Sequence, residues 1–295
     1  MKKRKTTIIL VLLFLIGILI LLYPTISDYV NQKSQSKVIT NYEEILENLN
    51  IKDYSLEFEK VDNYNNLLKN LENPLLTYDT LDGYNDLLNI NSNGMMGYIT
   101  IDKIKVELPI YHGVSKEVLS VAVGHIEGTS VIAGGSYTHS VLSAHRGLPS
   151  SKLFTDLDKL EIGDTFVITV LDRTLTYEID KITIVKPNEV EDLKIEEGDY
   201  VTLSTCTPYG INTHRLLVRG KRIANKEKKK YITTEAFKID NLIVTPLVGI
   251  PIIIILLLVI IFKPVKKNKF NIDKYIYPTK FKGGNLKWKN IYYYY

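Results

Sequence analysis

Two long apolar runs bracket a chain whose middle alternates apolar and polar residues. Thr6 to Ile26 carries no charge, and Asn241 to Phe262 carries none either, with Pro246 and Pro251 inside it. As a helix, each is long enough to cross a hydrocarbon core of about 30 Å. Between them the pattern changes three times. Within residues 33–72, Val38, Tyr42, Ile45, Leu46 and Leu49 recur at three- and four-residue spacing, with Glu43, Glu44 and Glu47 between them. Tyr64, Leu67, Leu68 and Leu71 continue the period up to Asn73-Pro74, a stop signal. The spacing predicts helix, as a stalk or as a helical pair packed on a domain. Residues 74–94 are rich in Asn, Asp, Gly and Thr and read as a loop long enough to carry function.

From Gly97 the period becomes two. Tyr98–Ile101 and Leu108–Tyr111 read as strands, followed by a short helix within Ser115–Ile126 capped by Ser115. Ser130–Ala133 and Ser140–Ala144 are short apolar strands separated by Gly134-Gly135. Ser151–Leu160 reads as one or two helical turns with Leu153, Phe154, Leu157 and Leu160 on one side. Thr165–Val170 and Leu175–Val185 form a hairpin turning at Asp172-Arg173, and Asp199–Ser204 and His214–Ile223 complete the set. Seven to nine strands with little helix predict a mainly β, closed or nearly closed barrel.

Charge then supplies a topology. The whole chain has 37 Lys+Arg and 33 Asp+Glu. Residues 1–5 and 263–295 hold 13 of the basic residues and one acid, Asp273, which leaves 24 basic and 32 acidic residues in 27–240. Positive flanks stay cytoplasmic. The pattern predicts a cytoplasmic start (1–5), an anchor (6–26), an extracytoplasmic region, a polar linker (225–240), a second anchor (241–262) and a basic cytoplasmic tail (263–295). The first run is long for a signal-peptide core, and Tyr23-Pro24-Thr25-Ile26-Ser27 is a poor cleavage site, which favours an uncleaved anchor. The basic excess belongs to the tails, so it does not indicate nucleic-acid binding. The expected localisation is the cell membrane, crossed twice. Within the outer region the reading is helices over 27–73, a lid-like loop over 74–94 and a catalytic domain over 95–224.

The one cysteine, Cys206, cannot form an internal disulfide. A lone thiol outside the cell is a liability unless something uses it. A cysteine nucleophile reacts as thiolate and needs a nearby histidine to supply a proton to the leaving group. The chain has five histidines: His112, His125, His139, His145 and His214. His145 ends an apolar strand just before Gly147, but His112 and His125 also precede glycine-containing turns. Arg215 and Arg219 follow on one strand face and could each hold an oxyanion. Pattern alone leaves both choices open.

Thr202-Leu203-Ser204-Thr205-Cys206-Thr207-Pro208 resembles the T-L-x-T-C motif of sortases, the Gram-positive transpeptidases. The continuation from Tyr209 through Gly220 is similar to class C sortases, the pilin polymerases. Leu142–Gly147 resembles their histidine motif, and Glu127-Gly128-Thr129-Ser130 and Lys152–Leu157 are also similar. The resemblance is dense over residues 94–223. It implies a sortase-type closed β-barrel of about eight strands with N-terminal and short helices, flanked by two transmembrane helices. It implies Cys206 as nucleophile, His145 as acid/base and Arg215 as oxyanion stabiliser, with Ser143 and Thr205 as candidate groove residues. The implied reaction cleaves a Leu-Pro-x-Thr-Gly-type sorting signal and joins pilin subunits through an acceptor lysine. The implied enzyme is a monomeric catalytic domain at the membrane, needing no metal, organic cofactor or nucleic acid. Anchoring of surface proteins to peptidoglycan is the alternative activity. A binding module with a structural cysteine and a simple cysteine protease are more distant ones.

One departure stands out. Class C sortases usually carry an Asp-Pro-aromatic lid triplet, and this chain has none. Asp82-Gly83-Tyr84 keeps the acid-x-aromatic spacing with glycine in place of proline. Glycine loosens the backbone there, so the expectation is a lid that is weaker or differently anchored.

Overall fold

A computed structural model describes residues 2–49 and 53–225, together with Gly249, Ile253 and Ile254. The linker, nearly all of the second apolar run and the basic tail lie outside the described residues. By its contacts the chain divides into two units, and the one described below is Leu13–Glu235.

Eight strands close into a barrel. They are β1 (Met95–Ile101), β2 (Val106–His112), β3 (Val123–His125), β4 (Thr138–Ser143), β5 (Thr165–Val170), β6 (Arg173–Val185), β7 (Asp199–Thr207) and β8 (His214–Ile223). The order around the barrel is β1-β2-β3-β4-β7-β8-β6-β5. The pairs β2/β3 and β4/β7 are parallel and all others are antiparallel. The expected closed barrel of about eight strands is therefore present. Its interior takes every second residue, among them Ile99, Ile101, Phe166, Ile168, Leu203 and Val218, all fully buried. Phe166 and Tyr177 stack at 5.4 Å between ring centroids. They press on β8 at Gly220, where a Cβ would stand 2.6 Å from the Phe166 ring.

Helices close one flank. α1 (Lys2–Leu49) contains the first apolar run, whose most apolar window has a mean hydropathy of 2.9, enough by length and composition to span a membrane. Its apolar residues Leu13, Phe14, Leu19, Ile20 and Leu21 are exposed. Further along, the same helix docks on the barrel. Gln35 Nε2 donates to Val121 O (2.7 Å), and Tyr42 OH lies between Met96 O (3.3 Å) and Leu171 N (2.9 Å). α2 (Ser55–Lys69) buries Phe58, Val61, Tyr64, Asn65 and Leu68. Of the two readings for the helical region, packing on the domain is what the structure adopts.

Two local expectations are corrected and one holds. Ser130–Ala133 is buried but is not a strand: Val131 exchanges both backbone bonds with the Asn65 side chain (2.8 and 3.0 Å) instead of with a neighbouring strand. The expected short helix is present as α3 (Lys116–Val121), and Ser115 Oγ caps it by accepting from Val118 N (3.3 Å). It stops where the next residues become β3 and pair with β2 and β4. The β5–β6 turn sits one residue earlier than predicted, at Leu171-Asp172, with Leu171 at φ +51°. Tyr42 fixes the Leu171 amide from α1, a contact 129 residues away in sequence.

Candidate active site

Cys206 is the penultimate residue of β7 and stands directly opposite Arg215, the second residue of β8. Val185 of β6 pairs with Arg215 from the other side, so Cys206, Arg215 and Val185 form a row on one face. Thr205 and Leu216, one step along, are buried on the opposite face. β4 runs parallel to β7 with Ser143 level with Ser204, and Ala144 N continues the ladder to Ser204 O (3.2 Å). Carrying that register two residues past Ser143 brings His145 level with Cys206. All three side chains are half-buried, accessible yet supported.

Burial sorts the histidines. His125 is fully buried; its Nε2–H donates to Ser130 O (2.8 Å) and its Nδ1 accepts from Tyr84 OH (2.8 Å). His139 donates from Nδ1 to Lys194 O (2.8 Å) and accepts at Nε2 from Thr202 (2.7 Å). His112 donates from Nδ1 to Gly94 O (2.9 Å). Burial pushes the pKa of all three down, for His125 to about 4, so each is neutral at pH 7. His214 bonds to Thr213 and pairs with Thr207, on the face opposite Cys206. Among the described residues, the His145 ring alone of the five has no hydrogen-bond partner, and the Cys206 thiol has none either.

The arginines separate in the same way. Arg219 is held by Asp180 (2.8 and 3.1 Å) and Glu196 and lies 4.5 Å over the Tyr200 ring. Arg215 donates only to the carbonyls of Asn212 (3.5 Å) and His214 (3.2 Å). Its charge faces no carboxylate among the described residues, which leaves it able to meet a developing oxyanion next to Cys206.

The remaining expected positions divide. Ser143 is half-buried beside β7, on the face that Ser204 and Cys206 share. Thr205 points inward and donates to Ala144 O (2.8 Å), tying β7 to the residue before His145. Tyr84 is buried: its hydroxyl serves His125 and accepts from Gly113 N (3.2 Å), and its ring meets His112 edge-on at 5.0 Å. Asp82 is exposed and makes no ion pair among the described residues. Asp82 and Tyr84 instead line an open depression of about 270 Å³ with Tyr78, Asp79 and Glu127. Gly83, at φ +86°, makes the turn that sends Tyr84 inward.

Sequence reasoning missed Arg146. Its side chain is only 8 % exposed, and the guanidinium pairs with Asp158 and donates to Thr207 Oγ1 (3.2 Å). An arginine at a strand end is ordinarily solvated, so no local signal marks this one.

A family model described as a sortase domain matches residues 99–223. A crystal structure of sortase C1 from Streptococcus agalactiae is 45% identical and covers 64% of this chain and 100% of that one, with a TM-score of 0.58. The chain belongs to the sortase family. This sortase is also 41% identical to Streptococcus pneumoniae sortase C, with a TM-score of 0.58 and coverage of 64% of this chain and 97% of that one. Sortase A from Bacillus anthracis is 25% identical over 126 residues, or 43% of this chain and 59% of that protein. The chain spans about half the length of the curated relatives it matches. The sortase C structures named above agree with the motif string around Cys206.

Proposed function

We propose that this sortase is a cysteine transpeptidase of pilus assembly, with its catalytic domain outside the cell on a two-pass membrane anchor. The observation that carries the reading is the convergence of Cys206, Arg215 and the His145 segment on one barrel edge. The crystal structure of Streptococcus pneumoniae sortase C gives insight into the pilin substrate specificity of that enzyme, and the likeness to it supports pilins as the substrate class here.

The chemistry follows from the placement. The Cys206 thiolate attacks the threonine carbonyl of a Leu-Pro-x-Thr-Gly-type signal. The oxyanion forms beside the Arg215 guanidinium, whose donors are otherwise spent only on backbone carbonyls. Collapse breaks the Thr–Gly C–N bond, and the His145 imidazolium gives its proton to the departing glycine amine. A lysine amine of a second pilin then attacks the thioester and gives its proton to His145. An isopeptide bond forms and the thiolate is released.

The test uses the full chain in detergent with a sorting-signal peptide and a pilin bearing an acceptor lysine. A mass increment on Cys206 equal to the acyl fragment and an amine-dependent covalent ladder are expected, and Cys206→Ala should show neither. A ladder that persists in Cys206→Ala excludes the reading. Hydrolysis that ignores the amine makes the chain a protease.

A further inference from the structure

The segment that carries His145 is fastened from two sides. On the β7 side, Ala144 N donates to Ser204 O (3.2 Å) and Thr205 Oγ1 donates to Ala144 O (2.8 Å). On the other side, Phe154 N donates to His145 O (3.1 Å) and Thr155 Oγ1 accepts from Gly147 N (3.0 Å). Arg146 bridges these two supports. One Nη donates to Thr207, the residue after Cys206, and the other meets Asp158, in the short 3₁₀ turn Leu157–Lys159. Its Nε is buried without a partner, so those two contacts carry its hold. The Tyr209 ring adds a third wall: its centroid lies 5.9 Å from the guanidinium carbon. The same ring packs so closely on Gly147 that a Cβ there would be 2.9 Å away.

We infer that Arg146 is a positioning residue for the acyl transfer. It clasps the His145 segment to the strand end that carries Cys206 and sets the separation of proton donor and thiol. The inference rests on the proposed transferase reading. Arg146 touches neither the reacting atoms nor the thiol, and it acts through His145. A nearly buried guanidinium is costly to keep unless it is paired. Here both of its partnered ends meet groups that frame the two reactive residues. A plain surface ion pair would need neither burial nor Thr207.

Because Cys206 is the only cysteine, its alkylation by iodoacetamide reports on this thiol alone, without any substrate. In the full chain in detergent, Arg146→Ala should slow alkylation at neutral pH about tenfold, since a displaced imidazole no longer activates the thiol. With a sorting peptide, kcat should fall about 100-fold while KM stays within about twofold, as expected for an ångström-scale misplacement. Arg146→Lys should recover part of kcat. In a His145→Ala background, adding Arg146→Ala should slow alkylation no further, because the clasp then has nothing to position. Alkylation at the wild-type rate in Arg146→Ala, or losses that multiply in the double variant, would overturn the inference. If Arg146→Ala lacks a cooperative thermal transition, Thr207→Val and Asp158→Asn carry the same expectations and the same refutation. A wild-type chain that alkylates quickly but forms no thioester with any sorting peptide overturns the transferase reading instead. The alkylation pattern still decides the clasp.

Discussion

Replacing Thr205 by valine tests whether this residue faces the substrate or the barrel. The side chains are nearly isosteric, so the change removes one hydroxyl and little volume. That hydroxyl donates 2.8 Å to Ala144 O, and both residues are almost fully buried, at 1% and 3% exposure. Without it the carbonyl would be left buried and short of a donor. Leaving a buried carbonyl unpaired costs about 1–3 kcal/mol. Taking about 2 kcal/mol, a unit of this size should lose roughly 4–8 °C in thermal midpoint. The carbonyl belongs to the residue before His145, so the same loss should loosen the proton donor. We expect kcat to fall about tenfold or more with KM nearly unchanged. Thr205→Ser keeps the donor and should keep kcat, at a cost of about 1 kcal/mol for the missing methyl. The assay is thermal unfolding of the full chain in detergent beside steady-state cleavage of a fluorogenic sorting peptide. A valine variant with wild-type midpoint and raised KM would refute the argument and make Thr205 a groove residue.

Tyr84→Phe removes the hydroxyl that serves His125 and Gly113, and should cost about 1–2 kcal/mol with turnover unchanged; a several-fold rise in peptide hydrolysis would show instead that Tyr84 covers the site. Asn65→Ala strips both backbone partners from fully buried Val131 and should cost about 2–4 kcal/mol in thermal unfolding, and a loss below about 1 kcal/mol would argue against α2 as a clamp. Stability should also fall with acid. Unfolded His125 takes up a proton below its ordinary 6.5, whereas the folded residue resists until about 4, so the unfolded state binds more protons in that window. The contribution is present above pH 6.5 and lost as pH falls toward 4, up to about 3 kcal/mol from His125, with His112 and His139 acting in the same direction. A thermal midpoint that is flat from pH 7 to 4.5 would contradict this.

The family of this chain was legible in short strings. The T-L-S-T-C segment, the Leu142–Gly147 segment and the strand holding Arg215 are local patterns, and alternation gave most of the barrel because a half-buried strand writes its period into the sequence. The apolar α1 was equally legible, since the length and composition that would let a helix cross a membrane are properties of the sequence. Ambiguity began where one residue's role depends on another far along the chain. Arg215 and Arg219 have the same period, and only Asp180, Glu196 and Tyr200 tell them apart, by absorbing the second. The five histidines differ in burial, a property of the assembled barrel. Val131 reads as a strand residue, yet its backbone partner is a side chain 66 positions away. Asp82-Gly83-Tyr84 has the spacing of a lid, and the tertiary fold turned its ring inward onto His125. Arg146 is unremarkable as a letter and becomes a bridge only when Thr207 and Asp158 close around it. Residue types and periods determined which groups are available and which segments alternate. Where each polar side chain finds its partner was decided by long-range packing, because a buried hydrogen bond is set by whichever group the closed barrel brings within reach.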